Sequence, residues 1–214
     1  MRSDEPMPSN PWPHDMTLTI EDRPNQLLEM LWVREAHELQ LDGDDLPPML
    51  SQTPERAAAG MSRESRVEWE RAWPRIWRET VAHTGRELEP SRFAQLEDLA
   101  HGSEERKAAL HQMLGPNWSD EFGHHVFQDP SWKNWERHGM DAFIASMPDA
   151  HRNSPKRRDL EALIPAWRAG LTKIVTIPCR GEYTRKLGTN ALIVTDVTRA
   201  DSGLYRAALG TFRL

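Results

Sequence analysis

Lys173-Ile174-Val175-Thr176-Ile177 and, a little further on, Ala191-Leu192-Ile193-Val194-Thr195 are the two stretches that decide the fold class. Both are short apolar runs rich in β-branched residues, the composition that fits a pleated surface. Between them Glu182-Tyr183-Thr184-Arg185-Lys186-Leu187 reads as a short middle strand. Arg180-Gly181 and Gly188-Thr189-Asn190 supply the turns on either side. The expectation is a small C-terminal antiparallel β-meander. Asp201 can cap a closing helix, because Leu204, Ala208 and Phe212 recur every four residues.

Upstream the period changes from strand to helix. Pro24 opens a helix over about 25–41, with Leu28, Leu31, Trp32, Ala36 and Leu39 on one face. Ser62 caps a helix over about 63–83, in which Trp69, Trp73 and Trp77 form a stripe and Pro74 interrupts the backbone bonding. Such a stripe packs as core, or stacks bases beside Arg71, Arg75 and Arg78; the core reading is the expectation. Further helices follow from Pro90, Ser103, Ser119 and Asp129-Pro130, the last ending at Pro148, and from Ser154-Pro155 to about 169. The fold class is therefore α+β and predominantly α-helical. Residues 25–170 form an irregular helical domain, on which 171–214, the meander and final helix, pack.

Residues 1–24 read as an extended arm, since Pro6, Pro8, Pro11, Pro13 and Pro24 forbid a helix. Trp12 is the residue of the arm large enough to anchor it, on its own chain or on a second copy.

Composition narrows the function classes. Hydrophobic residues are 38% of the chain and mean hydropathy is −0.72. No run approaches the roughly 18 consecutive apolar residues of a membrane span, and no apolar leader core opens the sequence. A single Cys excludes an internal disulfide framework and a Cys-rich zinc site. A cytoplasmic protein without a cofactor is the expectation. Walker, GxGxxG, GxSxG and HExxH patterns are all missing, which weakens the case for an enzyme.

Charge is unevenly spread. Residues 1–151 carry 15 Lys and Arg against 28 Asp and Glu, whereas 152–214 carry 12 against 5. Arg152, Lys156, Arg157 and Arg158 crowd the start of a helix whose N-terminus is already positive, an arrangement that local stability alone disfavours. Together with Arg185 and Lys186 of the meander they are candidates for an anion-accepting surface. The anion would be an external phosphate, a nucleic acid, or carboxylates of the acidic segment.

Two sparser constellations carry chemistry. Cys179 and Arg185 have the Cys-x5-Arg spacing of a phosphate-cradling loop, which makes Cys179 a candidate nucleophile; but that loop needs a helix after it, and strand residues follow here. His124, His125 and Asp129, near a helix break, are candidate metal ligands. The leading functional expectation is a non-catalytic intracellular interaction protein whose partner is another protein or a second copy of itself, with no membrane. The alternative is a protein that binds nucleic acid or phosphate through the basic C-terminal segment. A metal- or Cys-dependent hydrolase is third.

Overall fold

The computed structural model describes residues 11–43, 45–87, 96–152 and 154–212, the side chains of 147–152 excepted. It is mostly helical with one small sheet, the α+β class expected. The sheet has four strands, β1 (Thr19–Asp22), β2 (Lys173–Ile177), β3 (Thr184–Leu187) and β4 (Ala191–Thr195), in the order β1-β2-β4-β3. β1 is parallel to β2, with Thr19 opposite Lys173, and β2 is parallel to β4, with Lys173 opposite Ala191. Only β3 is antiparallel, to β4.

The expected meander is thus replaced by a mixed sheet. The chain leaves β2, skips one strand position to lay down β3, and returns through Gly188–Asn190 to insert β4 in the middle. Burial explains the swap. All five residues of β4 are buried, as a continuous apolar run demands of a central strand. β3 carries Arg185 and Lys186, which reach water only from an edge. β1, with the polar sequence Thr-Ile-Glu-Asp, closes the other edge and ends the N-terminal arm as a strand.

Alternation along the strands feeds two cores. Val175, Ile177, Ala191, Ile193 and Leu187 join a large core on one face; Ile174, Leu192 and Val194 join a smaller one on the other. The large core is built on α1 (Asn25–Ala36), buried on every side from Leu27 to Ala36. α1 stops short of the expected end: His37 caps it and Glu38 turns left-handed at φ 50°. Two of its buried charges, Arg34 and Glu35, tie down the chain that follows, although Arg34 Nε and Glu35 Oε2 have no partner among the described residues. Arg34 donates to the carbonyls of Pro47 (2.6 Å) and Pro48 (2.7 Å) and to Glu35 (3.1 Å), and Glu35 accepts from the Leu50 N–H. That pins residues 47–50 beside β2, where Leu50 bridges Cys179 and the Ser51 N–H donates to the Pro178 carbonyl at 2.9 Å.

α2 (Arg63–Thr84) is capped by Ser62 and runs unbroken through Pro74. Trp73 and Trp77 are buried and stacked, with ring centres 5.3 Å apart, and the Trp73 indole donates to the Met30 carbonyl at 2.7 Å. Half-buried Trp69 packs on His37, Trp118 and Phe122. The stripe is core, not a stacking platform. α3 (Glu104–Leu114), α4 (Trp118–Phe122), a 3-10 turn (His124–Gln128) and α5 (Pro130–Arg152) follow. α5 continues past Pro148, where it was expected to end. Proline there frees the carbonyl of Ile144, and Ile144 is exposed, so water can satisfy it. The expected helix from Pro90 falls largely on residues outside those described.

The last long helix is divided into α6 (Pro155–Arg158) and α7 (Leu160–Arg168) because Asp159 turns inward between them. Asp159 is fully buried, and it accepts from Arg158 Nε (2.8 Å), Arg206 Nε (2.8 Å) and the Ser202 hydroxyl. After β4 come α8 (Asp196–Ala200) and α9 (Ser202–Leu209), capped by Asp201 as expected. α7 and α9 cover the second face of the sheet, and half-buried Trp12, Met16 and Leu18 of the arm pack against that core.

Candidate functional site

Because β1, β2 and β4 run parallel, their carboxyl ends lie at one edge of the sheet. In open sheets of this kind that edge is where ligands bind. A cleft of about 480 Å³ opens there. Asp22 ends β1 and Arg23 follows it, Thr176 lies in β2 and Pro178 just after it, and Asp196 and Arg199 come from α8. α5 faces them with Trp135, Gly139 and Phe143. Ser51, bonded to the Pro178 carbonyl, and Gln52 close one side, and the Trp135 indole donates to the Gln52 carbonyl at 2.8 Å.

The charges in the cleft are incompletely paired. Arg199 Nη1 donates to the Asp22 carboxylate and to Thr176 Oγ1 (3.1 Å), but its buried Nε has no acceptor among the described residues. Arg23 makes no ion pair among them, and its buried Nη2 has no acceptor either. Buried donors left unmade cost about 1–3 kcal/mol each. Arg23 is also held at φ 97°, a left-handed conformation that costs a side-chain-bearing residue on the order of 1–3 kcal/mol. Opposite it, α5 carries Gly139 within a helix, where glycine costs up to ~1 kcal/mol relative to alanine. A Cβ at that glycine would stand 2.8 Å from Arg23 Nη1. Strain on one side and a missing side chain on the other make room for the same guanidinium.

Asp196 is an exposed residue of the cleft lining, at the start of α8. Partial desolvation, and then the Asp22 carboxylate, push its carboxyl up to about 6, against the pull of Arg199 and Arg23.

Comparison with protein-family models, curated proteins and solved structures finds no match. The site therefore stands on its own geometry.

The residues singled out from sequence are dispersed. Arg158 is bound to Asp159 (2.7 Å) and donates to the carbonyls of Ala200 (2.7 Å) and Arg199 (3.2 Å). Lys156 and Arg157 are exposed on α6, and Arg152 ends α5 with its side chain outside the description. Arg185 lies 3.7 Å from Asp45, and Lys186 sits 4.2 Å above the Phe212 ring. Cys179 is buried in the large core, away from the cleft lining, and desolvation raises its thiol to about 12. That suppresses the thiolate a nucleophile needs. His124 and His125 are exposed in the 3-10 turn, while the Asp129 carboxylate accepts from the N–H groups of Ala58 (2.9 Å) and Ser131 (2.8 Å). Among the described residues no three metal-ligating side chains converge.

Sequence reading missed Asp22, Arg23, Asp196, Arg199 and Gly139. Two signals were present: an acidic residue, Asp196, directly after the apolar strand 191–195, and a glycine, Gly139, inside an otherwise sound helix.

Proposed function

We propose that this chain is a small-molecule-binding protein whose ligand site is the cleft at the carboxyl ends of β1, β2 and β4. One observation carries the reading: the cleft holds buried guanidinium donors that no described residue answers, beside an aromatic wall. Pockets of this size, mostly apolar with a few convergent polar groups, are typical ligand sites. The basic C-terminal segment supports a nucleic-acid surface less well, because Arg158, Arg185 and Lys186 each have partners within the chain.

The test is thermal unfolding of the full chain against a panel of anionic, neutral and cationic metabolites, beside the variant Ala142→Trp. Ala142 is an exposed residue of α5 on the cleft wall, so Trp there fills the cleft without disturbing the core. At least one compound at about 100 times its Kd raises the stability of the wild type by ~2.7 kcal/mol, and the variant is unmoved. No shift with any compound, or shifts that survive Ala142→Trp, would overturn the proposal.

A further inference from the structure

We infer that the ligand carries an anionic group, a carboxylate or a phosphate, on a flat apolar body, and that Arg23 is the residue that clamps the anion. The inference rests on the reading of the cleft as a ligand site and adds the chemistry of what fills it.

Three observations converge on Arg23. Its backbone is strained at φ 97°, its Nη2 is buried with no acceptor among the described residues, and Gly139 leaves the space its guanidinium occupies. Each is unfavourable for the empty protein. A bound anion answers the unmet donor with charge-assisted hydrogen bonds, and the planar fork of a guanidinium matches a carboxylate or phosphate two oxygens at a time. Arg199 offers a second buried donor, Nε, while its Nη1 is committed to Asp22. That ion pair offsets part of the Asp22 charge that an incoming anion meets. Asp196 is the carboxyl the anion must face protonated or avoid. On α5, one turn to either side of Gly139, Trp135, fixed by its bond to Gln52, and Phe143 supply apolar surface suited to a flat ring.

The experiment is titration calorimetry of the full chain with benzoate, phenyl phosphate, benzamide and benzylamine, for wild type, Arg23→Met and Gly139→Ala. Wild type binds benzoate or phenyl phosphate at least about tenfold more tightly than benzamide, the loss expected when a charge-assisted pair becomes a neutral bond. The stronger of the two identifies carboxylate or phosphate as the group recognised. Arg23→Met removes the preference. Gly139→Ala, which keeps every charge and favours the helix, displaces the guanidinium and also weakens the anion about tenfold or more, so a folding defect in Arg23→Met does not remove the test. Equal or tighter binding of benzamide or benzylamine refutes the anion while leaving the cleft as a site. Binding of none of the four counts against the cleft itself. Anion binding that survives both variants refutes the role of Arg23.

Discussion

Asp159→Ala tests whether the cations near the start of α7 are internal ties or a free surface. The carboxylate is fully buried and holds Arg158, Arg206 and Ser202, and through Arg158 the carbonyls at the end of α8 that border the cleft. Removing one partner of a buried ion pair costs about 3–5 kcal/mol. The side chains of Arg158 and Arg206 remain 33% and 46% exposed, so water restores part of their solvation. The expected loss is therefore at or below the low end, about 2–3 kcal/mol. In a chain of this length each kcal/mol moves Tm by roughly 2–4 °C, so Tm falls by about 5–10 °C. The pH dependence has a definite sign. Burial alone would raise the Asp159 carboxyl, but the bonds from Ser202, Arg206 and Arg158 outweigh it and hold it below its ordinary value. Its stabilisation is complete above that ordinary value and is lost as pH falls through the depressed one, so the gap between wild type and variant closes in acid. Urea unfolding followed by circular dichroism, at about pH 7 and again near pH 3, measures both effects. A variant within about 0.5 kcal/mol of wild type at neutral pH would refute the reasoning and return Arg158 to the free surface.

Four further outcomes are expected. Trp73→Ala deletes a fully buried ring stacked on Trp77 and costs about 3–5 kcal/mol in urea unfolding; a loss below ~1 kcal/mol contradicts its place in the core. Cys179, with its thiol at about 12, resists iodoacetamide in the native protein near pH 8 and reacts once urea unfolds the chain; rapid native labelling contradicts its burial. Burial pushes the Glu29 carboxyl up to about 7, so wild type loses stability as pH rises from about 4.5 to 7 and Glu29→Gln does not; the variant's advantage above neutrality reaches as much as ~3 kcal/mol, and a difference independent of pH would count against the shift. Benzoate affinity rises as pH falls through about 6, because Asp196, facing Asp22, Arg23 and Arg199, then sheds its negative charge; in Asp196→Asn the affinity is flat there, and a slope retained by that variant assigns the titration elsewhere.

Composition and helical periodicity were enough to read the helical body and the two apolar strands. Strand order was not legible, because pairing β1 with β2 joins segments separated by the whole helical body, and no local signal encodes that. The runs themselves held part of the answer: four apolar residues and a threonine, all buried, suit the centre of a sheet, and Arg185-Lys186 suits an edge. Thr19–Asp22 has one apolar side chain, too little alternation to announce a strand. The cleft was hidden for the same reason, since Asp22, Arg23, Gly139, Asp196 and Arg199 come from distant parts of the chain and meet only once the strands are parallel. Sequence reading instead favoured local crowding of cations at 156–158, where Asp159, the residue next along, holds Arg158 inward.

The central claim is that the cleft is the ligand site, and the Trp indole N–H region of a ¹H–¹⁵N correlation spectrum locates binding directly. On titration with benzoate or phenyl phosphate, the Trp135 indole, which lines the cleft and donates to Gln52, shifts to saturation. The indoles of Trp73 and Trp77, sealed in the large core, stay in place. Saturable shifts confined to signals other than Trp135, or no shift at all at millimolar ligand, would contradict the claim.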